Sequence, residues 1–155
     1  MGVDCFMATK QIVVFKLQGQ EFGIDIMNVL EILSYSTIRP VPQVPSYIEG
    51  IINVRGTVYP IINLCKRLGI QDFEQQSHCQ FILLNLENVR VGFMVDKVLE
   101  ILTIETEEIE QGPQITEADK VSCIEGIVKR DEHIILLLDT DMLISADKQI
   151  VFENA

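Results

Sequence analysis

The pentapeptide Val29–Leu33, with the sequence Val-Leu-Glu-Ile-Leu, recurs unchanged at Val98–Leu102. The offset of 69 residues (98 − 29) also aligns Gly23 with Gly92. Self-similarity at a fixed spacing is typical of a chain built from copies of one structural unit. The sequence therefore predicts two related units.

A second match locates an insertion in the second copy. Ile48–Ile51, with the sequence Ile-Glu-Gly-Ile, recurs at Ile124–Ile127, an offset of 76 residues (124 − 48). The second copy thus carries seven additional residues (76 − 69) between Leu102 and Ile124. This stretch is acidic and rich in turn-forming residues, so we expect a surface loop.

Within each copy the apolar residues recur mostly at every second position, which indicates strands. Phe22, Ile24 and Ile26, for example, alternate with Gly23 and Asp25. Each copy holds roughly five such segments. The expected hairpin turns are Gly19-Gln20, Arg55-Gly56, Glu87-Asn88 and Asp131-Glu132, and short helical turns are expected at Leu64–Leu68 and Thr140–Leu143.

A set of strands drawn from about 60 residues buries enough core only if its sheet curls and closes, so an all-β pair of small five-stranded barrels is predicted. Residues 11–144 form the domain, with subdomains at about 11–70 and 80–144. Residues 1–10 match nothing in the repeat and are expected to be disordered, and residues 145–155 are a C-terminal extension.

Charge and hydropathy exclude several classes of partner. The chain has 12 Lys and Arg against 23 Asp and Glu, a formal charge of −11, which disfavours nucleic acid. No apolar run reaches the roughly 18 residues that span a bilayer, and no signal-like segment precedes Gln11, so a cytoplasmic protein without direct membrane insertion is expected. The four cysteines lack metal-type or disulfide-framework spacing, and neither a metal nor another cofactor is predicted.

The sequence offers no catalytic constellation and one pair of candidate binding residues. Gly50 to Gly56 lacks the Lys-Ser/Thr of a phosphate loop. Arg55 in a glycine-flanked turn is either an ordinary solvated residue or an interface anchor, since arginine on a rigid turn is enriched among binding hot spots. Glu31, in an otherwise apolar strand, has the same two interpretations.

The order of these fragments resembles the CheW family of chemotaxis coupling proteins over about Gln11 to Leu143. The segments that carry the resemblance are Phe15–Leu17, Val29–Leu33, the proline-rich bend Pro40–Pro45, Gly50–Gly56, Pro60–Leu64 and Gly92–Val98. Asn63 departs from the family pattern, which usually has Asp there. Asn keeps a turn-capping oxygen, so the fold prediction stands.

The resemblance implies two SH3-like barrels in one CheW-like domain, which acts as a non-catalytic adaptor. Its implied partners are the regulatory domain of the histidine kinase CheA and the cytoplasmic hairpin tip of chemoreceptors, at whose membrane arrays the protein would gather. The implied partner-binding residues are Val29, Glu31, Gly50, Asn53, Arg55 and Gly56.

Two alternatives remain open at this point. A coupling protein of another chemosensory pathway would share the fold and the motifs. A small β-barrel ligand-binding domain predicts instead a concave pocket with convergent polar groups.

Overall fold

The computed structural model describes residues 8–111 and 123–144, and in these residues the chain forms ten strands and two short helices. The strands are β1 (Thr9–Leu17), β2 (Gln20–Asp25), β3 (Val29–Ser34), β4 (Ile48–Val54), β5 (Thr57–Asn63), β6 (Gln80–Leu86), β7 (Val89–Val95), β8 (Lys97–Glu105), β9 (Ile124–Arg130) and β10 (His133–Leu138). The helices are α1 (Leu64–Leu68) and α2 (Thr140–Ile144). The all-β prediction is confirmed.

The expectations for the two ends of the domain have different outcomes. Disorder was expected for residues 1–10, but Thr9 and Lys10 already belong to β1, where they pair with β8. Residues 1–7, the C-terminal extension 145–155 and residues 112–122, in the stretch that holds the insertion, lie outside the described residues.

The strands form two five-stranded sheets with the same internal order. Sheet 1 has the order β8-β1-β2-β10-β9, and sheet 2 has the order β3-β6-β7-β5-β4. Replacing each strand of sheet 1 by its repeat equivalent gives sheet 2. The register agrees as well, because Val14 lies opposite Glu100 in sheet 1 and the equivalent Leu83 lies opposite Glu31 in sheet 2.

Each sheet combines strands from both copies, which corrects the expected subdomain boundaries of about 11–70 and 80–144. The hairpin β1–β2 pairs with β8 of the second copy, and the hairpin β6–β7 pairs with β3 of the first. At the end of β2 the Asp25 side chain accepts a hydrogen bond of 2.9 Å from the Met27 amide and caps a 3-10 turn, Ile26–Asn28, after which the chain enters the other sheet. The two copies have therefore exchanged their first hairpins.

Three of the four predicted hairpin turns are confirmed, and one is shifted by one residue. Arg55-Gly56, Glu87-Asn88 and Asp131-Glu132 lie between their strands. The first turn is Gln18-Gly19 and not Gly19-Gln20, because Gln20 already pairs with Leu17. Both turn residues have positive φ, 49° and 82°, which is the conformation that suits the twist of a two-residue hairpin.

Each sheet curls until the chain leaving one edge strand meets the opposite edge strand. In sheet 2 the segment after β3 pairs with β4 through Arg39 and Ile51, whose two backbone hydrogen bonds are both 2.9 Å. In sheet 1 the segment after β8 pairs with β9 through Glu110 and Ile127. These bridges give both sheets the form of small barrels.

The apolar core is shared between the barrels. Because β1 alternates its side chains, Val13, Phe15 and Leu17 join the large core that runs into sheet 2. Ile12 and Val14 point the other way into a smaller core inside barrel 1, which includes Val128, Ile135 and Leu137. Burial on both faces explains why this strand is a nearly continuous apolar run.

A candidate partner-binding surface at the edge of sheet 2

The turn between β4 and β5 presents Arg55 in a fixed backbone conformation. Arg55 and Gly56 have φ values of 50° and 89°, so the hairpin is of the primed type. The Gly56 amide donates a hydrogen bond of 2.9 Å to Oδ1 of Asn53, which ties the turn to the end of β4. A non-glycine residue with positive φ costs about 1–3 kcal/mol and is common at functional sites.

Strand β3 presents Glu31 beside a bulge. Val29 lies opposite Leu84 and Glu31 opposite Leu83, so Leu30 is the additional residue and its side chain is half exposed. Leu99 occupies the equivalent bulge in β8. Val29 is partly buried and packs against the large core. It therefore supports this surface from below and contributes little to its exposed face.

The guanidinium of Arg55 donates to Oε1 of Glu31 and forms an ion pair. The Arg55 side chain is 72% exposed and the Glu31 side chain 32% exposed. Edge strands of a flat five-stranded sheet would be about 19 Å apart, so this contact requires the curl of the sheet. The two candidates that the sequence left separate therefore form one surface, together with Asn53 and Gly56.

Gly50 is buried against the backbone of Arg39 and does not lie on this surface. It is buried, with φ at 151°, and a Cβ placed there would lie 2.1 Å from the backbone oxygen of Arg39. The glycine allows the Arg39–Ile51 bridge to form and the barrel to close. The signal for this role is present in the repeat, since Gly126 meets Ile109 and Glu110 in the same way.

The junction between the two sheets is a second surface, and it was not found from the sequence at residue level. The Gln18 side chain donates to the backbone oxygens of Gln71 and Asp72, at 3.1 and 2.6 Å. Arg67 of α1 donates from Nε to the Leu143 backbone oxygen at 2.8 Å, and its guanidinium lies over the Tyr47 ring. These contacts fix the linker and α2 against the barrels.

A buried polar network lies beside this junction. Asn63 is fully buried, and its Nδ2 donates to Glu49 and to Asp72, both at 2.8 Å, while its Oδ1 accepts from the Lys66 amide and caps α1. Lys66 Nζ lies 3.0 Å from Oε2 of Glu49. The hydrogen bond that Lys66 donates to Glu49 raises the pKa of Lys66 above its ordinary value. The capping role predicted for Asn63 is confirmed.

The thiols in the described residues are in unreactive environments. Cys65, Cys79 and Cys123 are buried, and burial raises the pKa of both Cys65 and Cys79 to about 12. Since the thiolate is the nucleophile, these residues are structural. In the described ranges no group of three or more His, Cys, Asp or Glu side chains could hold a metal ion.

His133, the first residue of β10, bonds through Nδ1 to Glu21 at 3.2 Å. Asp139 accepts from the amides of Asp141 and Met142 at the start of α2, where it acts as a cap. In the part of the chain that is described, no helix is long and apolar enough to cross a membrane. The surface that contains Arg55 and Glu31 consists of a fixed turn and a strand edge, which are features of a protein-interaction module.

Comparison with known proteins identifies the family of that module. The family model described as the CheW-like domain matches residues 11–148. The chain is similar to the chemotaxis protein CheW of Treponema pallidum, with 33% identity over 88% of this chain and 82% of that protein. It is 34% identical to the CheW of Thermotoga maritima, over 86% of this chain and 87% of that one.

A solved structure gives the same result at the level of fold. The scaffolding protein TtCheW from Thermoanaerobacter tengcongensis superimposes with a TM-score of 0.81 and 34% identity, over 91% of this chain and 96% of that one. The two SH3-like barrels expected from the sequence are thereby confirmed. The chain belongs to the CheW family of chemotaxis scaffold proteins.

Proposed function

We propose that this chain couples chemoreceptors to the histidine kinase CheA as a non-catalytic adaptor in the cytoplasm, gathered at membrane receptor arrays. The observation that carries the proposal is the exposed Arg55–Glu31 pair on a rigid hairpin at the edge of sheet 2. Family membership supports the scaffold role, and the solved relative from Thermoanaerobacter tengcongensis is a scaffolding protein.

The kinase contact is proposed for the Arg55 surface, which consists of Val29, Glu31, Asn53, Arg55 and Gly56. An ion pair this exposed adds about 0–1 kcal/mol to folding, so its side chains can re-pair with a partner at little cost in stability. A fixed turn loses little conformational entropy on binding, and arginine is common among binding hot spots. Gly50 contributes by closing the barrel and not by contact.

The receptor contact is proposed for the junction surface, where Gln18, Arg67 and Tyr47 fix both barrels against each other. A helical hairpin tip needs a binding surface whose two sides keep a constant spacing. The contacts of Gln18 and Arg67 would hold the two barrels at such a spacing. The acidic balance of the chain, −11, disfavours nucleic acid as an alternative partner.

Calorimetric titration with the regulatory domain of a CheA-type kinase from the same organism tests the proposal. We expect saturable one-to-one binding that does not require receptor. Absence of binding at high micromolar concentration would refute the kinase contact and favour a coupling role in another chemosensory pathway. A receptor hairpin fragment titrated in parallel tests the second contact separately.

A further inference from the structure

A cleft opens next to the bridge that closes sheet 2. It has a volume of about 440 Å³ and lies where the segment after β3 meets β4 and β5. Its lining residues are Ser36, Thr37, Arg39, Ile51, Ile52, Asn53 and Val58. The backbone of Arg39 is fixed by its two hydrogen bonds to Ile51, which leaves the side chain as the variable part.

The polar groups of this cleft are predominantly hydrogen-bond donors. Arg39 is exposed, and in residues 8–111 and 123–144 its guanidinium has no ion pair or side-chain hydrogen bond. Oδ1 of Asn53 accepts from the Gly56 amide, which fixes the orientation of the side-chain amide and leaves its nitrogen as a donor for a ligand. The hydroxyl groups of Ser36 and Thr37 add two more donors.

The charge of the cleft is opposite to that of the chain. The chain has 23 acidic residues against 12 basic ones, yet none of the residues that line this cleft is acidic. A cleft of about 310 Å³ in the other barrel is lined by three acidic residues, Glu21, Glu100 and Asp131, together with Arg130 and His133. The Arg39 cleft therefore attracts an anion in a protein that otherwise repels anions.

We infer that this cleft binds the carboxylate of a glutamate or aspartate side chain that a partner protein presents. One guanidinium with neutral donors matches a single negative charge, and Ile51, Ile52 and Val58 suit the methylene stem of such a side chain. Asn53 belongs both to this cleft and to the Arg55 turn, so the cleft is continuous with the Arg55 surface. The inference deepens the proposed function and rests on it for the identity of the partner.

Nuclear magnetic resonance tests the carboxylate chemistry without any partner. N-acetylglutamate α-methylamide, whose only carboxylate is that of the side chain, should shift the backbone amide signals of Thr37, Arg39 and Asn53 at millimolar concentration. N-acetylglutamine α-methylamide, which has no carboxylate, should not shift them at the same concentration. The shifts should diminish as salt rises, since the cleft is open to solvent. Equal responses to the two compounds, or none, would overturn the inference.

Variants test the partner side chain. Arg39→Gln should weaken binding of the kinase regulatory domain about tenfold, and Arg39→Lys should restore part of that loss. Arg90→Gln is the matched control, because Arg90 is also exposed in sheet 2 and lies outside the cleft. Thermal unfolding of each variant checks that the barrel is intact. Thr37→Val, which removes only a hydroxyl donor from the cleft, is a second variant for the same binding measurement.

The two arms separate the possible failures. If the kinase domain binds and the Arg39→Gln variant binds it as tightly as the wild type does, no partner carboxylate occupies the cleft. A response to N-acetylglutamate α-methylamide then assigns the cleft to a free carboxylate. If the kinase domain does not bind at all, the proposed function fails. In that case the response to N-acetylglutamate α-methylamide still decides whether the cleft recognises carboxylates.

Discussion

Arg55 and Glu31, which are 24 residues apart in the chain, form an ion pair across the two edges of sheet 2. Sheet 1 has no such pair at the equivalent positions, where Glu100 stands for Glu31 and Asp131 for Arg55. There, Arg130 instead bonds to Glu108, from Nε at 3.2 Å and from the terminal nitrogen at 3.1 Å. The two barrels share a backbone and differ in the charge that they present at this edge.

Arg55→Glu should weaken binding of the kinase regulatory domain by at least about 2 kcal/mol, the usual threshold of a hot spot, because it removes the exposed guanidinium and places a carboxylate beside Glu31. Calorimetry measures the change. The double variant Glu31→Arg with Arg55→Glu is the control, since it restores the ion pair between the two sheet edges but reverses the charges that the surface presents to a partner. Normal binding by Arg55→Glu would remove this residue from the interface.

Gly50→Ala should lower the free energy of unfolding by about 3 kcal/mol, because the new Cβ would meet the Arg39 backbone oxygen at 2.1 Å and open the bridge that closes the barrel. Gly56→Ala is the matched control, since φ there is also positive but no atom lies within 4 Å of the new Cβ. It should cost only about 1 kcal/mol. Urea unfolding of both variants measures the two losses of unfolding free energy. Equal losses would contradict the steric explanation.

Asn63→Asp should destabilise the protein by about 3 kcal/mol at neutral pH, because it replaces a buried donor by a carboxylate between Glu49 and Asp72. Burial and like charges raise the pKa of the new carboxyl above its unfolded value near 4. The new carboxyl group therefore lowers the free energy of unfolding least below pH 4. This loss of stability grows as pH rises toward the pKa that the group has in the folded protein.

The measurement for Asn63→Asp is urea unfolding between pH 4 and pH 8, with Asn53→Asp as the control. Asn53 uses only its oxygen, to accept from the Gly56 amide, and an aspartate preserves that bond. The difference in unfolding free energy between the two variants should therefore widen with pH. A constant difference would mean that repulsion among the carboxylates is not the cause.

The native protein should react slowly with thiol reagents at pH 8 in a Cys5→Ser background. A pKa of about 12 leaves roughly one in 10⁴ of the Cys65 and Cys79 side chains as thiolate, in addition to the steric protection of burial. Absorbance with a chromogenic disulfide should show rapid labelling only after denaturation. Rapid labelling of the folded protein would indicate that the barrels open locally.

The sequence by itself determined the repeat, the strand content, three of the four hairpin turns and the family. These features are local or periodic: alternation of apolar residues fixes strands, and turn chemistry fixes which neighbouring strands form hairpins. The residues Val29, Glu31, Asn53, Arg55 and Gly56 were proposed for partner binding in the same way, through the motifs that contain them.

Only the tertiary structure decided that the hairpin β1–β2 pairs with β8 and not with β3. The two copies have the same apolar pattern, so either hairpin could complete either sheet, and the local signals do not distinguish the two arrangements. The same long-range pairing brings Arg55 to Glu31, gives Gly50 its role against Arg39, and opens the Arg39 cleft. Contacts between residues distant in the chain depend on how the sheets curl and close, which periodicity does not specify.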